Sequence, residues 1–133
     1  MIGGCLTSKD RMLRFHCSIH GGAPAAPLAV SFDAALAELA LHPRLFIEPD
    51  GSFVWRGTSA EGAAWQVDGN LIDRGEVLDY VELKGACSGE RLDEILRTLG
   101  WPTSRLTFQL PRHGVFLTEE EFRRQATTPA GAW

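Results

Sequence analysis

Between Trp65 and Leu83 the chain alternates. Trp65, Val67, Leu71, Val77, Val81 and Leu83 take odd positions, while Gln66, Asp68, Asn70, Tyr80, Glu82 and Lys84 take even ones. A period of two places these sets on opposite sides of an extended chain. The pattern predicts two strands, about 63–73 and 76–84, turning at Asp73-Arg74-Gly75, with one buried and one wetter face. Asp79 breaks the apolar set, and Asp68-Gly69 offers a competing turn.

Helical spacing replaces this alternation on either side. In "SFDAALAELALHP" Phe32, Ala35, Leu36, Leu39 and Ala40 form one stripe, with Ser31 as N-cap and His42-Pro43 as the stop. In "SGERLDEILRTLG" Leu92, Ile95, Leu96 and Leu99 form another, capped by Ser88 and ended by Gly100. "LTEEEF" spells a third helix start. Thr118 and Glu121 make a capping box, and Leu117 with Phe122 a hydrophobic staple across it. "RLFIEPDGSFVWRG" reads as a hairpin, with Pro49 at the turn corner and Gly51 free to take a positive φ. "SRLTFQL" reads as a further strand.

The order helix, four strands, helix, strand, helix implies an α+β fold. We expect an antiparallel or mixed sheet of about five strands, with two to three helices packed on it. "HGGAPAAP" interrupts the pattern. Residues 1–27 therefore read as an N-terminal arm, or an edge strand "MLRFHCSI" with a linker. Residues 28–126 read as one α+β domain and 127–133 as a frayed tail.

Composition adds limits. With 133 residues the chain suffices for one domain, and at this length roughly two-thirds of the unfolded surface is buried without staples. Hydrophobic residues at 44% and charged residues at 23% fit a globular chain, and a net charge of -4 gives no general attraction to nucleic acid or anionic membrane. The adjacent cations Arg123 and Arg124 follow Glu119, Glu120 and Glu121, as on a solvated helix face. Three cysteines (Cys5, Cys17 and Cys87) without a CxxC pair suggest a reducing compartment. No apolar run reaches a membrane span, and no signal-peptide core precedes "IGGC", so the cytoplasm is the expected location.

Three groups of residues carry chemistry. In "FHCSIH", His16, Cys17 and His20 are half of a zinc set. The rest would have to come from His42, His113, Cys5 or a carboxylate, none of which forms a second local pair. Cys87, just before a helix N-terminus, is the cysteine placed for a reactive thiolate. Trp55 and Trp65, on paired strands, read as core rather than as stacking platforms.

The third group is Asp68, Glu82 and Lys84. Pairing about the expected turn puts Glu82 opposite Gln66, so Asp68 is its diagonal neighbour, with Lys84 on the same face. Two such carboxylates suit Mg²⁺ or Mn²⁺, and the lysine suits orienting a metal-activated hydroxide. The arrangement resembles the core of the PD-(D/E)xK nucleases, where an Asp on one strand and an acid-x-Lys on the next precede a helix and another strand. The resemblance covers roughly residues 31–110. It implies metal-dependent cleavage of nucleic acid, with Asp68 and Glu82 as metal ligands, Lys84 as their catalytic partner and Glu38 as a further acid. The chain departs from the family at Val67, where a proline is usual, in one extra strand before the second helix, and in lacking a basic track for phosphates.

No complete catalytic set is present. The leading expectation is a non-catalytic protein-binding or regulatory domain, acting on a protein partner or a second copy, without cofactor or membrane. The alternative is the metal-dependent nuclease.

Overall fold

The computed structural model describes residues 11–112 and 114–127. Their elements run β1 (Met12–His20), α1 (Phe32–Leu39), β2 (Leu45–Ile47), β3 (Ser52–Thr58), β4 (Ala64–Arg74), β5 (Val77–Ser88), α2 (Gly89–Thr98), β6 (Thr107–Gln109), β7 (Phe116–Thr118) and α3 (Glu119–Ala126). The strands form one antiparallel sheet in the order β2-β3-β4-β5-β1-β6-β7. The α+β class holds, with seven strands in place of about five.

Two strands make the difference. β1 has β5 on one side and β6 on the other, so it is an inner strand rather than an edge. Its own alternation explains this: Leu13, Phe15, Cys17 and Ile19 are buried, while Arg14 and His16 between them are exposed. β7 is only three residues long and leads directly into α3. Three residues are too few to show a period, and the helix cap beside them dominates the local pattern.

The caps form as the sequence predicts. Ser31 and Ser88 accept from the backbone of Ala34 and Arg91. Thr118 and Glu121 bond reciprocally at 3.1 and 2.9 Å. Gly100, at φ 104°, closes α2 with Gly100 N–H on Arg97 and Trp101 N–H on Leu96, the paired bonds of a Schellman end. The β2–β3 turn is closed by Gly51 N–H on Glu48 and Glu48 N–H on Ser52, with Gly51 at φ 97°.

Inward residues of the sheet and buried residues of all three helices belong to one apolar cluster. Phe122 of α3 stacks on Phe108 of β6, with centroids 4.4 Å apart, and tilts against Phe15 of β1 at 5.9 Å. Asp68-Gly69 is not a turn. It lies inside β4, opposite Val54 and Phe53. The Phe53 ring fills the space a Cβ at Gly69 would take, so the glycine admits an aromatic neighbour and the strand runs through it.

The β4–β5 turn lies at Gly75-Glu76, and the ladder slips between Ile72 and Asp73. Ile72 faces Tyr80 and Asp73 faces Leu78, which leaves Asp79 as the extra residue of a bulge. That one residue accounts for the break in the alternation. It turns Leu78 into the core and leaves Val77 exposed, where the period alone expects the reverse. No helix among the described residues is long and apolar enough to cross a membrane.

Candidate functional site

The turn at Gly75-Glu76 and the bulge together reset the candidate acidic site. Glu82 pairs with Asn70 rather than Gln66, and Lys84 pairs directly with Asp68. On the other side of β5, Ser18 faces Glu82 and His16 faces Lys84. Asp68, Glu82, Lys84 and His16 thus share the wetter face, and all four are exposed. Asp68 accepts from the Gln66 amide at 3.0 Å. Among the described residues, no group of three or more His, Cys, Asp or Glu is gathered to hold a metal ion. Glu38 is exposed on α1, whose Ala35 and Leu39 join the core on the opposite side of the sheet from Asp68. It cannot complete the set.

The "FHCSIH" residues separate. Cys17 is fully buried on the core face, and burial pushes its thiol far above the ordinary range. His16 and His20 share the other face, four residues and so roughly 13 Å apart along the strand. His42 lies before β2, with β3, β4 and β5 between it and β1, roughly 19 Å at normal strand spacing. Cys5 and His113 fall outside the described residues. Cys87 is fully buried at the end of β5, and burial pushes its thiol up to about 12, with Arg123 and Arg91 opposing only part of that. The expectation of a reactive thiolate fails because desolvation outweighs the helix end.

His20 is the unusual member. It is only 8% exposed, stacked on Tyr80 at 5.4 Å and edge-on to Phe116 at 5.3 Å. Its Nε2 has no hydrogen-bond partner among the described residues. Burial pulls its imidazole below the ordinary 6.5, opposed in part by Asp79 and the side chain of Gln109.

An open concavity lies elsewhere, at one end of β2, β3 and β4. It encloses about 520 Å³ and is walled by Arg44, Phe46, Arg56 and Trp65, with Gly57, Thr58, Ala64 and Gln66 between them. Register builds it. Leu45 turns inward against Trp55, so Phe46 must turn outward, and it is 63% exposed. Arg56 pairs with Gln66, and Gly57 with Trp65, whose ring covers the glycine. Trp65 meets the buried Trp55 edge to face at 5.5 Å. Arg44 holds a left-handed backbone at φ 66°, a conformation uncommon for a side-chain-bearing residue.

Sequence reasoning missed this groove. Its residues come from a loop and three strands, and each alone looks ordinary. The available signal was the short strand "LFI", where an inward Leu45 forces Phe46 out.

The side chains lining it are of kinds suited to recognition. Two guanidinium groups present planar forks of donors that match carboxylates. The exposed ring of Phe46 offers apolar surface beside them, while the Trp65 ring lies on the core face over Gly57, against Trp55. Neither Arg44 nor Arg56 makes an ion pair among the described residues; the same holds for Arg11, Arg14, Arg97, Arg105 and Arg112, while Arg74, Arg91, Arg123 and Arg124 are paired. Among the described residues that line the groove there is no acid and no histidine. The chain matches no protein-family model, no curated protein and no solved structure.

Proposed function

We propose that this chain is a non-catalytic protein-binding domain that docks its partner at the Arg44–Phe46–Arg56–Trp65 groove. The observation that carries this reading is an exposed phenylalanine beside two arginines without ion-pair partners among the described residues. An aromatic and arginine cluster of this kind is the composition of an interface centre. β2 also ends the sheet, and Leu41 close by in sequence is 81% exposed. With Cys17 and Cys87 buried as free thiols, a reducing compartment suits the chain, and the cytoplasm is its proposed location.

A photo-crosslinking residue placed at Phe46 tests the reading in native cells, with the same residue at Glu90 on α2 as the control. A discrete protein adduct from position 46 and none from position 90 is expected. No adduct at 46, or the same adducts from both positions, rejects it.

The second reading is the metal-dependent nuclease built on Asp68, Glu82 and Lys84, with Mg²⁺ or Mn²⁺ as cofactor and nucleic acid as substrate. It draws on the face these three share and on the direct pairing of Asp68 with Lys84. Their exposure argues for the binding reading, since catalytic electrostatics needs a water-excluded site.

A further inference from the structure

We infer that the groove at the β2 end takes an extended, acidic segment of a partner protein, with an apolar side chain seated against the outward ring of Phe46. This deepens the protein-binding reading and rests on it. The first argument is charge. The chain carries 17 acidic residues against 13 lysines and arginines, so carboxylates are in excess. Arg74, Arg91, Arg123 and Arg124 each have one within 4 Å, and the other seven arginines have none among the described residues. Arg44 and Arg56 are the two of these that stand together on one groove, with no acid among its described lining residues. The groove is a cationic site on a molecule whose net charge is negative, and it is complementary to carboxylates.

The second argument is support. The Trp55 indole donates to the Pro43 carbonyl at 3.0 Å, and His42 packs on the same ring at 4.8 Å. These contacts anchor the loop on both residues before Arg44, so its guanidinium projects from a fixed base. Arg56 is fixed by its place in β3, opposite Gln66. A site whose cations stand on anchored backbone loses less entropy on binding.

The third argument is shape. Phe46, Gly57 and Ala64 make much of the wall, and a bare anion would leave that surface wet. Two arginines on an acidic chain are too few for a nucleic-acid backbone, which needs a track of cations. A segment alternating carboxylates with apolar side chains satisfies both features. It can lie extended, because β2 has no strand on its outer side among the described residues.

The probes are two fluorescein-labelled hexapeptides, one alternating Glu with Leu and Phe and the other with Lys in place of each Glu. Fluorescence anisotropy is read for the unmodified chain, for Arg44→Glu with Arg56→Glu, and for Arg97→Glu on α2 as the charge control. Circular dichroism verifies that each variant is folded. The acidic peptide is expected to bind, to weaken as salt rises, and to lose about tenfold or more in affinity in the double variant. Arg97→Glu should leave binding within twofold. The proposal is overturned by equal binding of the lysine peptide, by an unaffected double variant, or by no binding at millimolar peptide. Self-association of the chain abolished by the double variant also overturns it, by making a second copy the occupant. If crosslinking at Phe46 still captures a partner while the acidic peptide fails, the ligand class is wrong and the docking surface stands. If both fail, the protein-binding reading falls with it.

Discussion

The indole of Trp55 and the carbonyl of Pro43 are joined by a 3.0 Å hydrogen bond that ties the core of the sheet to the loop before β2. The bond spans twelve residues and is partly buried, so water replaces it only in part when it is lost. Trp55→Phe keeps a ring in the core but removes the donor and some packing. It should cost about 1–3 kcal/mol in urea unfolding. It should also weaken binding at the groove, because Arg44 loses its anchor. Unchanged binding with reduced stability would show that the loop holds its position without Trp55.

Gly69 and Phe53 face each other on the core side of β4 and β3. A methyl group at Gly69 would occupy the Phe53 ring, and that ring has little room to move. Gly69→Ala should destabilise by about 1–3 kcal/mol through overpacking. In a Phe53→Ala background the same change should cost far less. The double-mutant coupling is then of the order of 1 kcal/mol or more, read from denaturation midpoints. Additive costs would mean that a neighbour other than the Phe53 ring excludes the methyl group, since backbone entropy by itself favours alanine.

His20 should make stability depend on pH. Its folded imidazole is pulled below 6.5 by burial, so in the window beneath 6.5 the unfolded chain binds more protons than the folded one. Stability is fully present above that window and falls as pH drops through it. Asp79 and Gln109, which favour the charged form, limit the size of the loss. His20→Phe retains an aromatic contact with Tyr80 and Phe116 and removes the titrating group. Its melting temperature should be flatter than that of the unmodified chain between about pH 7 and 5. Parallel curves would assign the acid sensitivity to other groups.

Asp68, Glu82 and Lys84 are exposed and make little use of one another. Lys84→Ala should change stability by less than about 0.5 kcal/mol, as surface charges commonly do. The melting temperature should also be indifferent to EDTA and to millimolar Mg²⁺ or Mn²⁺. A rise with either metal that Asp68→Ala removes would instead favour the nuclease reading and call for cleavage assays.

Local chemistry made much of the fold legible. Ser31, Ser88, Thr118 and Glu121 announce three helix starts because capping is decided within four residues. Gly51 announces the β2–β3 turn for a similar reason. Register was less accessible. The even face was readable, but which even residues meet depended on the two-residue turn at Gly75-Glu76 and the bulge at Asp79. The break at Asp79 was visible, yet only pairing across the ladder turns a break into a shift. The inner place of β1 was hidden because its partners lie more than sixty residues away. The groove was hidden for the same reason: Arg44, Arg56 and Trp65 acquire meaning only when three strands are aligned.

The inner position of β1 also bears on how the chain is made. Met12 to Ile19 pair with Val81 to Ser88, so an early segment must wait for a much later one. At about 5–20 residues per second, synthesis leaves that segment several seconds with both its edges open. During that time Leu13, Phe15, Cys17 and Ile19 have no core to enter. The alternating Arg14 and His16 are then its main protection against pairing with another nascent chain. The sheet closes late, and its first strand is completed among its last.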